Sequence, residues 1–392
     1  MYDYDVIISF VTAFSLTYFV IPPIINVAIK KNLCDEPGGR HSHTVSTPRL
    51  GGIAIFAGVL FSVILWTPFD QYANGMQYIL CAFILILLVG VKDDIDAISP
   101  SKKLATEVLA AVILVFKAGV RVSGLHNIMG IGEIPFFWSV LLTVFVIIVI
   151  INSFNLIDGI NGLSGSIAIL VSGILGIWFL LVRRYELAIL ALSTTGATVA
   201  FLKFNYSPAK IFMGDTGSLF IGMVCSILVI SFIEYNEQLD ITAPFKINVA
   251  PAVAIGIFIL PLFDTFRVFV TRVANGRHPL RPDRTHIHHL LIDAGLNHMQ
   301  ATFLLVGVNM FFVVLVFLLQ RYTDKGFLII LLLGGIASLL AGGLFYTVKR
   351  KDTHGIWPLS NKYSVAQRRK KKTAPLPFTE GGRTQNIHEK TT

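Results

Sequence analysis

The sequence predicts an all-α integral membrane protein, a polytopic bundle of about 11 transmembrane helices with cytoplasmic catalytic loops. Three observations carry that prediction. Hydrophobic residues make up 54% of the chain and charged residues only 14%, about half of what a soluble domain carries. The apolar residues fall in runs close to the roughly 20 residues that a bilayer-crossing helix needs. The Asp, Asn, His and Arg residues able to do chemistry gather in alternate gaps between those runs.

In chain order the predicted spans are 6–28, 50–67, 76–91, 103–118, 135–152, 164–182, 186–202, 214–234, 247–267, 301–320 and 326–348. The first follows Met-Tyr-Asp-Tyr-Asp, without a basic stretch or a small-residue cleavage site, so it reads as a helix and not a signal peptide. Several later runs are short or interrupted by Gly and Pro, which suits helices whose breaks line a cavity. Of the 32 Lys and Arg residues, 25 fall on one side of this arrangement and seven on the other. Positive residues are retained in the cytoplasm, so the N-terminus is expected outside and the C-terminus inside. The chain divides into a transmembrane domain, 1–348, and a basic tail, 349–392, that carries Arg368-Arg369-Lys370-Lys371-Lys372 and is expected to be disordered. Attraction of that tail to anionic headgroups is the alternative reading.

Composition also excludes several classes. The net charge of +9 is spread over short gaps and the tail instead of one basic face, so no nucleic-acid partner is expected. Cys34, Cys81 and Cys225 are far apart, which indicates neither a disulfide framework nor a cysteine zinc site. A transporter or flippase needs polar groups near the bilayer midplane, often in two related halves. Neither an internal repeat nor mid-span charge is read here, and transport stays as the alternative.

Four loops on the predicted cytoplasmic side carry the chemistry. Lys92-Asp93-Asp94-Ile95-Asp96 closes the third span, and Ser99-Pro100 reads as N-cap and first position of the fourth, with Lys102 and Lys103 following. Acids at a helix C-terminus oppose its dipole and repel each other, which is tolerated where a metal or a proton transfer uses them. Asn152, Asn155 and Asp158 recur at i, i+3, i+6 before Gly159 and Asn161-Gly162, a set of hard oxygen donors that suits Mg²⁺ and equally suits turn chemistry. Asn205 through Phe212-Met213-Gly214-Asp215 enters the eighth span, where Asp215 is either a helix cap or a metal ligand and Phe212 a face for a base to stack on. The largest loop holds Asp264, Arg267, Arg272, Arg277 and Arg281, then Pro282-Asp283-Arg284-Thr285-His286-Ile287-His288-His289. Arginines among histidines describe a phosphate-gripping site better than a zinc site.

At these four loops the sequence resembles the polyprenyl-phosphate N-acetylhexosamine-1-phosphate transferases, glycosyltransferase family 4. The WecA/TagO-like bacterial branch is nearest through its His-Ile-His-His signature, and the MraY branch is related. The likeness covers about residues 6–348 with the motifs in the family's order. It implies transfer of N-acetylhexosamine-1-phosphate, GlcNAc-1-phosphate first, from a UDP-sugar to undecaprenyl phosphate with release of UMP, at the start of cell-surface polysaccharide synthesis. The implied location is the bacterial inner membrane, among membrane lipids, with a homodimer left open. Asp93 is implied as base or anchor with Asp94 beside it, joined by Asp158 and His288 as catalytic groups. Asp215 and Asn155 are implied ligands of Mg²⁺, with Mn²⁺ as the alternative cation. Asn161, Asn205 and Phe212 are implied to face the uridine, and Lys103, Arg284, His286, His288 and His289 to grip phosphates. The family's third acid falls on Ala97 here, so Asp96, one position early, takes no role.

Overall fold

A computed structural model describes residues 2–31, 33–35, 47–69, 75–128, 130–276 and 286–353. Among them, thirteen helices occur: α1 (Tyr2–Lys30), α2 (Gly51–Trp66), α3 (Met76–Ile95), α4 (Pro100–Phe116), α5 (Phe136–Ile157), α6 (Leu163–Leu181), α7 (Tyr185–Asn205), α8 (Gly214–Glu237), α9 (Ala250–Ile257), α10 (Ile259–Ala274), α11 (Ile287–Asp293), α12 (His298–Leu319) and α13 (Gly326–Thr353). Each predicted span falls on one of these helices or on the pair α9 and α10. Seven of them, α1, α5, α6, α7, α8, α12 and α13, are long and apolar enough to cross a membrane, and the bent pair α9 and α10 meets the same length and hydropathy only when its two helices are taken together. The chain is a multi-pass membrane protein. The helical body covers Met1–Gly342, and a C-terminal unit covers Gly343–Thr392, of which residues 354–392 lie outside the described residues.

Two local features add to the all-α architecture. Short antiparallel strand pairs occur, β1 (Cys34–Asp35) with β2 (Thr47–Pro48) and β3 (Gly124–Ile128) with β4 (Ile131–Glu133). They lie between helices, where water or protein can satisfy backbone groups that lipid cannot. The run 247–267 is also no straight helix, since it breaks at Phe258 with a bend of 78°. Pro261 follows, and a proline ring collides with the carbonyl four residues earlier, here Ile257. Asn309 of α12, buried, repairs the break: its Nδ2 donates to the Ile257 carbonyl (3.0 Å) and its Oδ1 accepts from the Leu260 amide (3.1 Å). Asn309→Leu should therefore lower stability by about 1–3 kcal/mol, because both backbone groups lose their partner in an apolar core. A thermal midpoint in detergent within a degree of the parent would contradict this.

The centre of the bundle is α8, with 94% of its apolar stretch buried. Phe220 packs edge-on between Phe56 of α2 and Phe83 of α3. Its first turn touches backbone: a Cβ on Gly52 would lie 2.0 Å from the Gly217 amide nitrogen, and one on Gly90 would lie 2.5 Å from the Thr216 Cα. Small residues thus let α2 and α3 press against the start of α8, and that contact brings the end of α3 to Asp215. Facing outward, Phe19, Leu88, Phe145 and Leu339 are exposed, as expected of side chains that meet lipid instead of water.

Candidate active site

Four helix ends converge: the C-termini of α3 and α5 and the N-termini of α4 and α8. Lys103, in the first turn of α4, donates from Nζ to Asp215 Oδ2 (2.6 Å) and to Asp93 Oδ2 (3.2 Å). The lysine and Asp93 side chains are only 14% and 12% exposed, and that of Asp215 is 31% exposed. Asn155 donates from Nδ2 to Asp215 Oδ1 (2.7 Å) and to Ser218 Oγ (3.0 Å), and the Ile98 amide donates to Asp93 Oδ1 (2.8 Å). Ser99 and Pro100 do open α4 as N-cap and first residue, though the Ser99 side chain makes no capping bond. An acid at a helix C-terminus and a lysine at a helix N-terminus each oppose the local dipole. Here they neutralise one another across helices.

Asp94 turns away from this cluster. It accepts from the amides of Asp215 (2.7 Å) and Thr216 (2.9 Å) and from the Thr216 hydroxyl (2.6 Å). The residue before α8, Met213, makes no side-chain cap, so Asp94 supplies from α3 the carboxylate that an N-cap would supply locally. Gly214 makes the approach feasible, with φ at 71° and a would-be Cβ only 2.7 Å from the Asp94 carboxylate. Asp94 thereby positions the backbone of Asp215. Asp96 is exposed and pairs with Lys92, whose hydrogen bond holds its carboxyl below the usual range.

Past α5, Asp158 accepts from the Ser164 hydroxyl, and burial pushes its carboxyl up to about 8, with the Asp215 and Asp94 charges adding to the rise. Next to it, Gly159 meets the histidine segment: a Cβ there would lie 2.2 Å from His288 Nε2. His288 is 1% exposed and its Nε2 has no hydrogen-bond partner. The His289 ring lies tilted against it, with centroids 4.2 Å apart. His286 donates from Nδ1 to Asp264 Oδ2 (2.9 Å), while Asp264 Oδ1 accepts from Arg267 (2.9 Å) and the Ile287 amide (3.1 Å). Asp264 therefore locks the start of α11.

Burial, reinforced by His289, pulls His288 down to about 3. Between its ordinary value near 6.5 and that value the unfolded chain binds a proton that the folded chain refuses. Stability is then complete above about pH 6.5 and declines as pH falls toward 3. His288→Gln should flatten that decline in thermal melts taken from pH 7 to pH 5, and equal slopes would refute the assignment.

Other expected residues are engaged with neighbouring loops and helices. Asn205 has both polar ends committed, its Oδ1 accepting from the Gly162 amide (2.7 Å) and its Nδ2 donating to the Ile211 carbonyl (2.9 Å). It fastens two loops. Asn161 is buried, and its carbonyl accepts from the Thr302 hydroxyl (2.8 Å). Phe212 is half-buried, tied through its backbone to Pro48 and Gly51. Asn152, although spaced to share a face with Asn155, donates to Glu107 of α4 instead (2.6 Å). Arg284 lies outside the described residues, as do Arg277, Arg281 and Asp283. Glu107 was missed altogether; an isolated acid in an apolar run was the available signal. Ser164, Thr216 and Ser218 were missed because nothing in their local sequence marks them.

Among the described residues no group of three or more His, Cys, Asp or Glu side chains is arranged to hold a metal. The donor set is smaller: the adjoining carboxylates of Asp93 and Asp215, compensated by one ammonium, with the Asn155 amide alongside. A cation that takes one or two carboxylates and completes its shell with phosphate and water fits such a set. A cavity of about 160 Å³ at the opposite ends of α3 and α8, lined by Arg121, Glu186, Glu234 and Tyr235, contains none of these residues.

Fold and site define a class: multi-pass membrane enzymes in which four helix ends assemble an acid and lysine centre beside a histidine-bearing segment. The model of glycosyl transferase family 4 matches residues 76–233. The chain is 30% identical over 327 residues to the Bacillus subtilis protein named probable undecaprenyl-phosphate N-acetylglucosaminyl 1-phosphate transferase, covering 81% of this chain and 86% of that one. It is 30% identical over 348 residues to the Yersinia pestis undecaprenyl-phosphate alpha-N-acetylglucosaminyl 1-phosphate transferase, covering 87% and 90%. Against the decaprenyl-phosphate N-acetylglucosaminephosphotransferase of Mycolicibacterium smegmatis it is 31% identical over 328 residues, covering 76% and 79%. The chain belongs to glycosyl transferase family 4.

Proposed function

We propose that this protein transfers N-acetylglucosamine-1-phosphate from UDP-N-acetylglucosamine to undecaprenyl phosphate, giving the lipid-linked pyrophosphate sugar and UMP. The observation that carries this is the Asp93, Lys103, Asp215 and Asn155 cluster, drawn from four helix ends and flanked by the loop that meets His288. The names of the relatives supply the acceptor and the sugar. Phosphoryl transfer needs positioning and charge neutralisation more than covalent chemistry. Mg²⁺, or Mn²⁺ in its place, would be held by Asp93, Asp215 and Asn155 and would supply charge neutralisation for the donor phosphates. Lys103 balances the Asp93 and Asp215 carboxylates in the cation-free site, Asp93 orients the attacking lipid phosphate, and Asp264 fixes His286 toward the phosphates. A lipid phosphate oxygen bonds to the β-phosphorus as the bond to UMP breaks. Because the acceptor is already ionised near neutral pH, proton abstraction by Asp93 contributes little. Ping-pong kinetics with UMP exchange in the absence of lipid would instead make Asp93 a covalent nucleophile.

In this reading all eleven predicted segments cross the bacterial inner membrane, with α2, α3 and α4 adding to the longer helices. The charge bias favours a cytoplasmic site and C-terminus, and the basic residues that follow α13 in the sequence add to that bias. Purified protein in detergent with undecaprenyl phosphate, Mg²⁺ and a panel of UDP-sugars should release UMP and form lipid-linked product with UDP-N-acetylglucosamine. EDTA should abolish both. Product from UDP-N-acetylgalactosamine alone would reassign the donor, and no product from any sugar would overturn the transferase reading.

A further inference from the structure

Glu107 lies within α4, is 1% exposed, and uses only one carboxylate oxygen: Oε2 accepts from Asn152 Nδ2 (2.6 Å), whereas Oε1 is buried with no hydrogen-bond partner. A buried carboxylate oxygen without a donor is costly, at about 1–3 kcal/mol or more, and it persists where something else uses it. Glu107 is four residues after Lys103 on the same helix, which places the two side chains on one face about 5–6 Å apart at Cβ. Within the site, Lys103 now occupies the space between the Asp93 and Asp215 carboxylates, 3.2 and 2.6 Å from them. A cation bridging those carboxylates and the ammonium cannot share that position, because like charges at such separation repel strongly in a partly buried site. The ammonium needs another anionic partner within its reach.

We infer that Glu107 is a positioning residue that receives Lys103 when a divalent cation takes its place between Asp93 and Asp215, using the Oε1 atom that has no partner in the cation-free arrangement. Lys103 swings from one carboxylate pair to a third carboxylate on its own helix, with no change of net charge in the chain. Asn152, bonded to the other oxygen and to the Ile148 carbonyl (2.9 Å), holds Glu107 in place to receive it. Cation affinity is then coupled to Glu107 through Lys103. This inference rests on the proposed cation site.

The test is Mn²⁺ binding to the full chain in detergent, followed by electron paramagnetic resonance, in a double-mutant cycle. Glu107→Gln keeps an acceptor for Asn152 and the shape of the side chain, so it preserves the α4 to α5 contact. It should weaken Mn²⁺ binding by roughly 5- to 20-fold, in the range of typical site-to-site coupling. Lys103→Met should tighten Mn²⁺ binding, because the competing ammonium is gone, and adding Glu107→Gln to it should change affinity less than about twofold. A loss of the same size in both backgrounds would reduce Glu107 to a general electrostatic contributor and overturn the inference. So would unchanged binding in Glu107→Gln. Should Glu107→Gln not fold, Lys103→Met alone decides: Mn²⁺ affinity that does not rise removes the competition on which the swing depends. Parent protein that binds no Mn²⁺, or binds it undiminished after Asp215→Asn, would instead overturn the cation site itself.

Discussion

Asp215→Asn protein, purified folded in detergent, is expected to transfer sugar-phosphate about 10²- to 10³-fold more slowly than the parent, the usual loss when one preorganised electrostatic group is removed. Asp215 is the junction of the site, accepting from Lys103 on one oxygen and from Asn155 on the other. An amide keeps the shape but presents an N–H₂ toward one of those donors and carries no charge for a cation. The fold should survive, because α8 is held through the Asp215 backbone amide and not its side chain. The thermal midpoint is therefore expected to stay within a few degrees while turnover falls. UMP release at the parent rate would remove Asp215 from the chemistry and with it the proposed reaction.

Asp94→Ala is expected to fail in a different way. Three donors lose their acceptor at once, two of them amides at the start of the buried central helix. Each orphaned buried donor costs about 1–3 kcal/mol, reduced where water or relaxation replaces the partner. The thermal midpoint should drop, and activity should fall by about 10²-fold with it, since a displacement of about 1 Å in a catalytic group is enough for such a loss. Asp94→Asn, which retains one acceptor oxygen, should lie between parent and alanine variant on both measurements. Activity lost with an unchanged midpoint would show that Asp94 acts on substrate directly and that capping is incidental.

These two neighbours show where reading the sequence reaches its limit. Asp93 and Asp94 are adjacent acids at one helix end and share the same local signals. In space one joins Lys103 and Asp215, while the other caps α8, because consecutive residues on a helix point about 100° apart and meet different neighbours. Asn152 and Asn155 separate in the same manner, toward Glu107 and toward Asp215. Asn205, polar in an otherwise suggestive loop, spends both ends on backbone groups.

What the sequence determined by itself is what depends on composition and period. Apolar runs of membrane length specify helices, since lipid leaves a backbone no other way to satisfy its polar groups. The order of the polar motifs along the chain identified the family. Tertiary structure alone decided which carboxylate faces which donor, where the bent pair breaks and why Asn309 repairs it, and that Glu107 lies beneath the site. Those outcomes depend on contacts between residues as far apart as Lys103 and Asp215. A chain's local pattern carries no record of which partner the packing of the helices will bring.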